Sequence, residues 1–162
     1  MKMTKSTKQA LDIVNDWKDE GHKIYMTSGG FDPMHIGHLR CIQGTAELAT
    51  EFHGKVVVLV NGDEFLIEKK GKPFMKIDER LEIIAGIRGV DLAVEWYDGC
   101  QTVDAALEMF QPDCFTKGGD RKDPATLPEW DTCQKLRCEV VFGVGGGKIQ
   151  SSSWLLKDSS ET

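Results

Sequence analysis

Two strand-like runs with a helical run between them constrain the fold of this chain more than any other feature. Lys23 to Ser28 reads KIYMTS, and Lys55 to Asn61 reads KVVVLVN. The second is a continuous apolar run of the kind buried on both faces of a parallel sheet. A helical stretch reaching Phe52 joins them, so the unit is expected to be a right-handed βαβ crossover. Its first turn carries GGFDPMHIGH, Gly29 to His38, where strand gives way to helix. Backbone N–H groups and the helix dipole at such a turn favour an anion, and Gly29, Gly30 and Gly37 let phosphate approach the main chain. His35 and His38, three apart on the first helical turn, point the same way and can both donate to one phosphate chain. No third ligand stands at suitable spacing nearby, which argues against a metal pair.

The 162 residues predict one domain with a real core, and 40% hydrophobic with 28% charged residues is ordinary for a globular chain. A net charge of −6 argues against broad binding to nucleic acid or anionic membranes, so any phosphate site must be local. Apolar runs are too short to span a bilayer, and the basic N-terminus leads into an amphipathic helix instead of a signal segment. A cytoplasmic location is expected. Five cysteines, an odd number with no C-x-x-C, suit reduced thiols.

Along the chain, Ser6 or Thr7 is expected to cap a helix to about Glu20, with Leu11, Val14 and Trp17 on one face and Gly21 as its stop. The second strand of the crossover ends at Asn61-Gly62-Asp63, at the carboxyl edge where ligands of parallel sheets sit. From Glu68 a basic loop, EKKGKPFMKIDER, leads into a helix from Ile77 to Arg88. Lys69, Lys72 and Arg80 are its candidate phosphate ligands, with Asp63 beside them at the edge. Val90 to Trp96 predicts a third strand. A helix follows with Thr102 as cap and Val103, Ala106, Leu107 and Phe110 inward. A fourth strand breaks at the turn Lys117, Gly118, Gly119, Asp120, which with Arg121 could address a nucleotide. Arg121 to Trp130 reads as a flexible loop, then a short helix to Leu136 and a fifth strand, Glu139 to Phe142. The run GVGGGKIQSSSWLL is neither a P-loop nor a dinucleotide fingerprint, because Phe142, Lys148 and Ile149 stand at required positions. It leaves a flexible loop, the cation Lys148, and Ser151, Ser152 and Ser153 opening a final helix.

GGFDPMHIGH resembles the (G/T)xFD-x-x-H-x-G-H signature of the cytidylyltransferase-like nucleotidyltransferases, and the likeness runs from about Lys23 to Lys157. The lysine loop with Arg80, KGGD at Lys117 to Asp120, and KIQSSSWLL, resembling the closing (R/K)-x-x-S-(S/T)-(S/T) motif, match in order. The resemblance implies a Rossmann-like three-layer α/β/α sandwich with a five-stranded, mainly parallel sheet. Residues 1–22 would add a helix packing on the domain, 23–157 the domain itself, and 158–162 a tail. It implies that a phosphate oxygen of an acceptor attacks the α-phosphate of a nucleoside triphosphate and that pyrophosphate leaves. His35 and His38 would hold the triphosphate, Lys69 and Lys72 the outer phosphates or acceptor, and Lys148 and Ser152 the pyrophosphate. Gly30, Phe31, Asp32, Gly37, Lys117 to Asp120 and Ser151 to Ser153 would line the nucleotide. Mg²⁺ is expected on the triphosphate, and a homodimer is implied. KKGKP and KGGD resemble the adenylyltransferase part of the bifunctional heptose 1-phosphate enzymes. IRGVD resembles glycerol-3-phosphate cytidylyltransferase, where the arginine matching Arg88 contacts CTP. Adenylyl transfer to a sugar phosphate is favoured, cytidylyl transfer to a polyol phosphate is the alternative, and a non-catalytic nucleotide-binding module is a third reading. Amino-acid or pantetheine-type adenylylation shares the HIGH tetrad, but the K-M-S-K-S loop is absent. The Arg121 to Trp130 loop and Gln150 depart from the patterns, and no sugar-kinase domain is expected within these 162 residues.

Overall fold

The computed structural model describes residues 1–119 and 123–146. Its elements are β1 (Met3–Thr4), α1 (Thr7–Asp19), β2 (Lys23–Gly29), α2 (Ile36–Glu51), β3 (Gly54–Asn61), α3 (Asp63–Lys70), α4 (Ile77–Ala85), β4 (Leu92–Trp96), α5 (Asp104–Phe110), β5 (Cys114–Thr116), α6 (Trp130–Leu136) and β6 (Glu139–Val141). All strand pairs are parallel and the sheet order is β1-β4-β3-β2-β5-β6. From β2 the chain adds β3 and β4 on one side, then returns to place β5 and β6 on the other. The order therefore reverses beside β2, and ligand crevices of open α/β sheets lie at the carboxyl edge of such a switch point. The turn after β2 is the HIGH turn.

Side-chain alternation along β3 divides the core into two layers. Val57 and Leu59 pack with Ala10, Val14, Leu107, Phe110 and Cys133, beneath α1, α5 and α6. Val56, Val58 and Val60 pack with Ile42, Ala49, Leu81 and Ile84, beneath α2 and α4. This is the expected three-layer sandwich, with six strands instead of five. The extra strand, β1, pairs Met3 with Ala93 and Thr4 with Val94, and two residues carry no periodicity for sequence reading to detect. Residues 1–22 are thus built into the sheet as well as its cover. Ser6 caps α1, accepting from Gln9 N–H, and Lys18 Nζ donates to the carbonyls of Phe110 and Gln111 at the end of α5.

Three boundaries differ from expectation. The lysine segment is partly helical, since α3 runs to Lys70; Asp63 and Glu64 open it and Lys69 and Lys70 close it, complementing its dipole. α4 ends at Ala85 with Gly86 as its cap. Thr102 does not cap α5; its hydroxyl donates to Asp104 Oδ2, and Val103 is the cap residue. Among the described residues no helix is long and apolar enough to cross a membrane.

Candidate nucleotide site at the HIGH turn

The two histidines of the HIGH turn form the start of α2. His35 is the cap residue, and its Nδ1 accepts from Gly37 N–H at 3.0 Å. His38 reaches back, its Nδ1 accepting from His35 N–H at 3.3 Å. A ring nitrogen that accepts cannot carry the proton, so in both rings the proton belongs on Nε2. The rings stack with centroids 3.7 Å apart, and Phe31 packs edge-on against His38 at 5.1 Å. Burial, and then the neighbouring His35, push the His38 imidazole down to about 4. At neutral pH His38 is therefore an uncharged donor with a fixed tautomer.

Asp32, three residues earlier, is almost wholly buried. Its two oxygens accept from Phe74 N–H at 2.6 Å and Met75 N–H at 2.5 Å. Lys70 Nζ donates to Asp32 Oδ2 at 2.8 Å and to its carbonyl at 2.7 Å. The nucleotide contact expected of Asp32 gives way to a structural one: its carboxylate is filled by donors from the lysine segment and moors that segment to the turn. Lys70, which the sequence reading passed over, is the lysine brought to the turn, and two of its three ammonium donors are used on Asp32. Lys69 is exposed with Nζ over the Phe65 ring, and Lys72 is exposed on the loop. Reading the charge pattern DE…KK as a short helix would have singled out Lys70, four residues after Leu66 and on its face. Leu66 covers Gly30 so closely that a Cβ there would stand 3.1 Å from its Cδ2.

Arg80 is fully buried and corrects another expectation. Its Nε donates to Met75 O, Nη1 to Gly30 O and Asn61 O, and Nη2 to Asp63 Oδ1 at 2.7 Å. Four of five guanidinium donors are thus consumed by the protein. Gly30 follows β2 and Asn61 closes β3, and this arginine satisfies both carbonyls. Asp63 likewise pairs with Arg80 and borders a cleft of about 330 Å³ whose lining includes Lys5, Glu64, Glu95 and Tyr97. Three carboxylates, Asp63, Glu64 and Glu95, face one lysine, Lys5, in that lining, and the contact the structure shows for Asp63 is the one with Arg80.

On the other side of β2, the Lys117 turn and the segment 143–146 press against α2. Val144 N–H donates to Lys117 O, and Lys117 N–H to Val141 O. Gly118 lies against Cys41, and Gly145, at φ +87°, is so close to α2 that a Cβ would stand 2.6 Å from the Arg40 carbonyl carbon. The segment expected to be a flexible loop meets α2 at Val144 and Gly145. Lys117, Gly118 and Gly119 therefore share the carboxyl edge with His35, Gly37 and His38. Asp120, Arg121, Lys148, Ser151, Ser152 and Ser153 lie outside the described residues. Arg88 is not brought to this site: it stands in the turn before β4, at the amino ends of the strands, where Asp91 binds Val56 N–H. α4 has carried the chain back across the sheet by then. The Arg121 to Trp130 loop contains a short 3₁₀ turn, Pro124–Thr126, and its Leu127 and Glu129 are buried.

A family model described as cytidylyltransferase-like matches residues 26–154. The chain is 33% identical over 141 residues to a bifunctional protein HldE from Hahella chejuensis, covering 86% of this chain and 26% of that protein. It is 33% identical over 152 residues to the bifunctional protein HldE of Pseudomonas aeruginosa, covering 90% and 29%. The chain thus spans between a quarter and a third of the length of these relatives. Among solved structures, a lipopolysaccharide core biosynthesis protein from Thermoplasma volcanium shares the fold, with a TM-score of 0.59 at 23% identity over 74% of this chain and 94% of that one.

Proposed function

Because the chain belongs to the cytidylyltransferase-like family and is a nucleotidyltransferase, we propose that it transfers AMP from ATP to a heptose-type sugar phosphate. The observation that carries the reading is the pair of capped, stacked imidazoles at the switch point of the sheet. Their Nε2–H groups donate to oxygens of the α-phosphate as charge builds there. A phosphate oxygen of the acceptor attacks the α-phosphorus; the new P–O–P bond forms as the α–β P–O bond breaks, and pyrophosphate departs with the electron pair. Gly37 and the start of α2 support the phosphates, Lys70 supplies the cation beside the turn, and Lys117, Gly118 and Gly119 border the nucleotide. Lys148 and Ser151 to Ser153 remain the proposed clamp for pyrophosphate. Losing one such donor typically lowers the rate about 10²–10³-fold.

Among the described residues no three His, Cys, Asp or Glu side chains are grouped to hold a metal, and Asp32 is filled by protein donors. Magnesium is expected to arrive with the triphosphate and to need few protein ligands. That ion would neutralise charge on the departing pyrophosphate.

ATP is favoured over CTP because KKGKP and KGGD resemble the adenylyltransferase part of heptose 1-phosphate enzymes, and because the likeness to the HldE relatives covers 86% and 90% of this chain. Arg88, the residue that spoke for CTP, stands at the opposite edge of the sheet. Thermal unfolding with magnesium and ATP, CTP, GTP or UTP in turn tests the choice. ATP at 100 times its dissociation constant is expected to stabilise the fold by about 2.7 kcal/mol, and adding heptose 1-phosphate is expected to release pyrophosphate. Stabilisation by CTP alone, or no release with any sugar phosphate, refutes the proposal.

A further inference from the structure

Three polar side-chain atoms are enclosed without a hydrogen-bond partner among the described residues: Asn61 Oδ1, Trp96 Nε1 and Glu129 Oε2. All three residues are more than nine-tenths buried. Enclosed polar atoms without partners are few in native chains, and each calls for an explanation.

The three belong to one face at one edge of the sheet. Asn61 and Trp96 are register partners at the carboxyl ends of β3 and β4. Strand alternation puts Asn61 on the side of Leu59, which packs with Trp96 in the layer beneath α1, α5 and α6. Glu129 joins that layer because its other oxygen accepts from Val103 N–H at 3.3 Å, and Val103 lies in the same buried cluster as Trp96. Asn61 is also linked to the HIGH turn, since its carbonyl and that of Gly30 share one nitrogen of Arg80.

The hydrogen-bonding sense of these atoms selects a ligand. Asn61 Oδ1 and Glu129 Oε2 accept, whereas the Trp96 indole only donates. An ammonium group would satisfy the two acceptors and leave the indole orphaned. A phosphate or carboxylate would meet the indole and be repelled by Glu129. A hydroxyl both donates and accepts, so the hydroxyls of a sugar or polyol match the sense of all three. We propose that Asn61, Trp96 and Glu129 form the subsite that reads the hydroxyl groups of the phosphorylated acceptor, an inference that rests on the transfer reaction proposed above. The atoms are enclosed in the unliganded chain, so the segments that carry Glu129 and follow Trp96 must part as the acceptor enters.

The indole N–H resonance of Trp96 reports on the subsite directly. The chain has four tryptophans, and the Trp96 signal is the one missing from the Trp96→Phe spectrum. Saturating heptose 1-phosphate or mannose 1-phosphate is expected to shift it, while ethanolamine phosphate and inorganic phosphate leave it in place. Glu129→Gln is expected to raise KM for the sugar phosphate about tenfold or more, the size of a lost hydrogen bond to a charged group, with KM for the triphosphate unchanged. If the sugar phosphate moves the backbone resonances of Gly30 to Gly37 and not the Trp96 indole, the subsite is overturned and the reaction stands. If the indole shifts but no triphosphate yields pyrophosphate, the subsite stands and the reaction falls. If every phosphate leaves the indole unmoved and Glu129→Gln lowers Tm without altering KM, the three atoms enclose only water and the subsite is overturned.

Discussion

Replacing Asp32 by asparagine isolates the bond network that ties the lysine segment to the HIGH turn. The carboxylate accepts Phe74 N–H on one oxygen and Met75 N–H on the other, and Lys70 adds an ion pair at 2.8 Å. An amide keeps one acceptor oxygen and turns the other into a donor facing an N–H. One half-buried N–H is then unpaired, at a cost of about 1–3 kcal/mol, and the two remaining bonds lose their charge assistance, at about 1 kcal/mol each. The sum, about 3–5 kcal/mol, lies within the stability of an ordinary domain, so the variant is expected to fold with Tm lowered by about 10 °C. Urea unfolding followed by tryptophan fluorescence measures the loss. Pyrophosphate release at a temperature where both proteins are folded should also fall, because Lys70 is no longer held at the turn. A Lys70→Met variant separates the contribution of the ion pair from that of the two backbone donors. A loss below about 1 kcal/mol with full activity would refute the assignment of Asp32 as the mooring point.

Other perturbations test the remaining parts. The folded state disfavours a proton on His38, whose imidazole is pushed down to about 4 from an ordinary 6.5. Stability should therefore be level above pH 6.5 and fall by up to about 3 kcal/mol between pH 6.5 and 4. His38→Gln removes that slope, and an NMR titration midpoint near 6.5 for His38 would contradict it. Arg80→Lys discards the planar fork joining Met75, Gly30, Asn61 and Asp63. It should cost about 3 kcal/mol in urea unfolding, because buried acceptors lose their donors. Gly145→Ala combines φ +87° with a Cβ 2.6 Å from the Arg40 carbonyl carbon, and should lower stability by about 2 kcal/mol or more, read as a drop in Tm.

What the sequence made legible was local and repeated. The run KVVVLVN and the strand–turn–helix signal around Gly29 to His38 declared the parallel sheet and its binding edge, because burial pattern and turn chemistry are properties of neighbours. Arg80 was misread for the opposite reason. An arginine behind a basic loop looks like a phosphate ligand until the sheet brings the carbonyls of Gly30 and Asn61 beside it. Arg88 stands apart from the turn for a like reason: eight residues after Arg80, it reads as part of the same helix, but α4 runs from one edge of the sheet to the other. Lys70 was hidden among three nearby lysines, and only Leu66 packed over Gly30 decides which of them meets Asp32. Glu129 carried no signal at all, since its burial depends on Val103 in another element.

The cap formed by His35 and His38 has a consequence for turnover. Lysine or arginine could donate to the same phosphates, but neither has an acceptor atom with which to start α2. The requirement to cap a helix and hold a phosphate at once restricts these positions to side chains with both senses. In the proposed reaction His38, uncharged at neutral pH, would hold the triphosphate through hydrogen-bond direction and not through ion pairing. In that reaction the bond would tighten as negative charge accumulates on the α-phosphate oxygens and slacken once that charge has moved to pyrophosphate, so the group that favours the reaction would do little to retain its product.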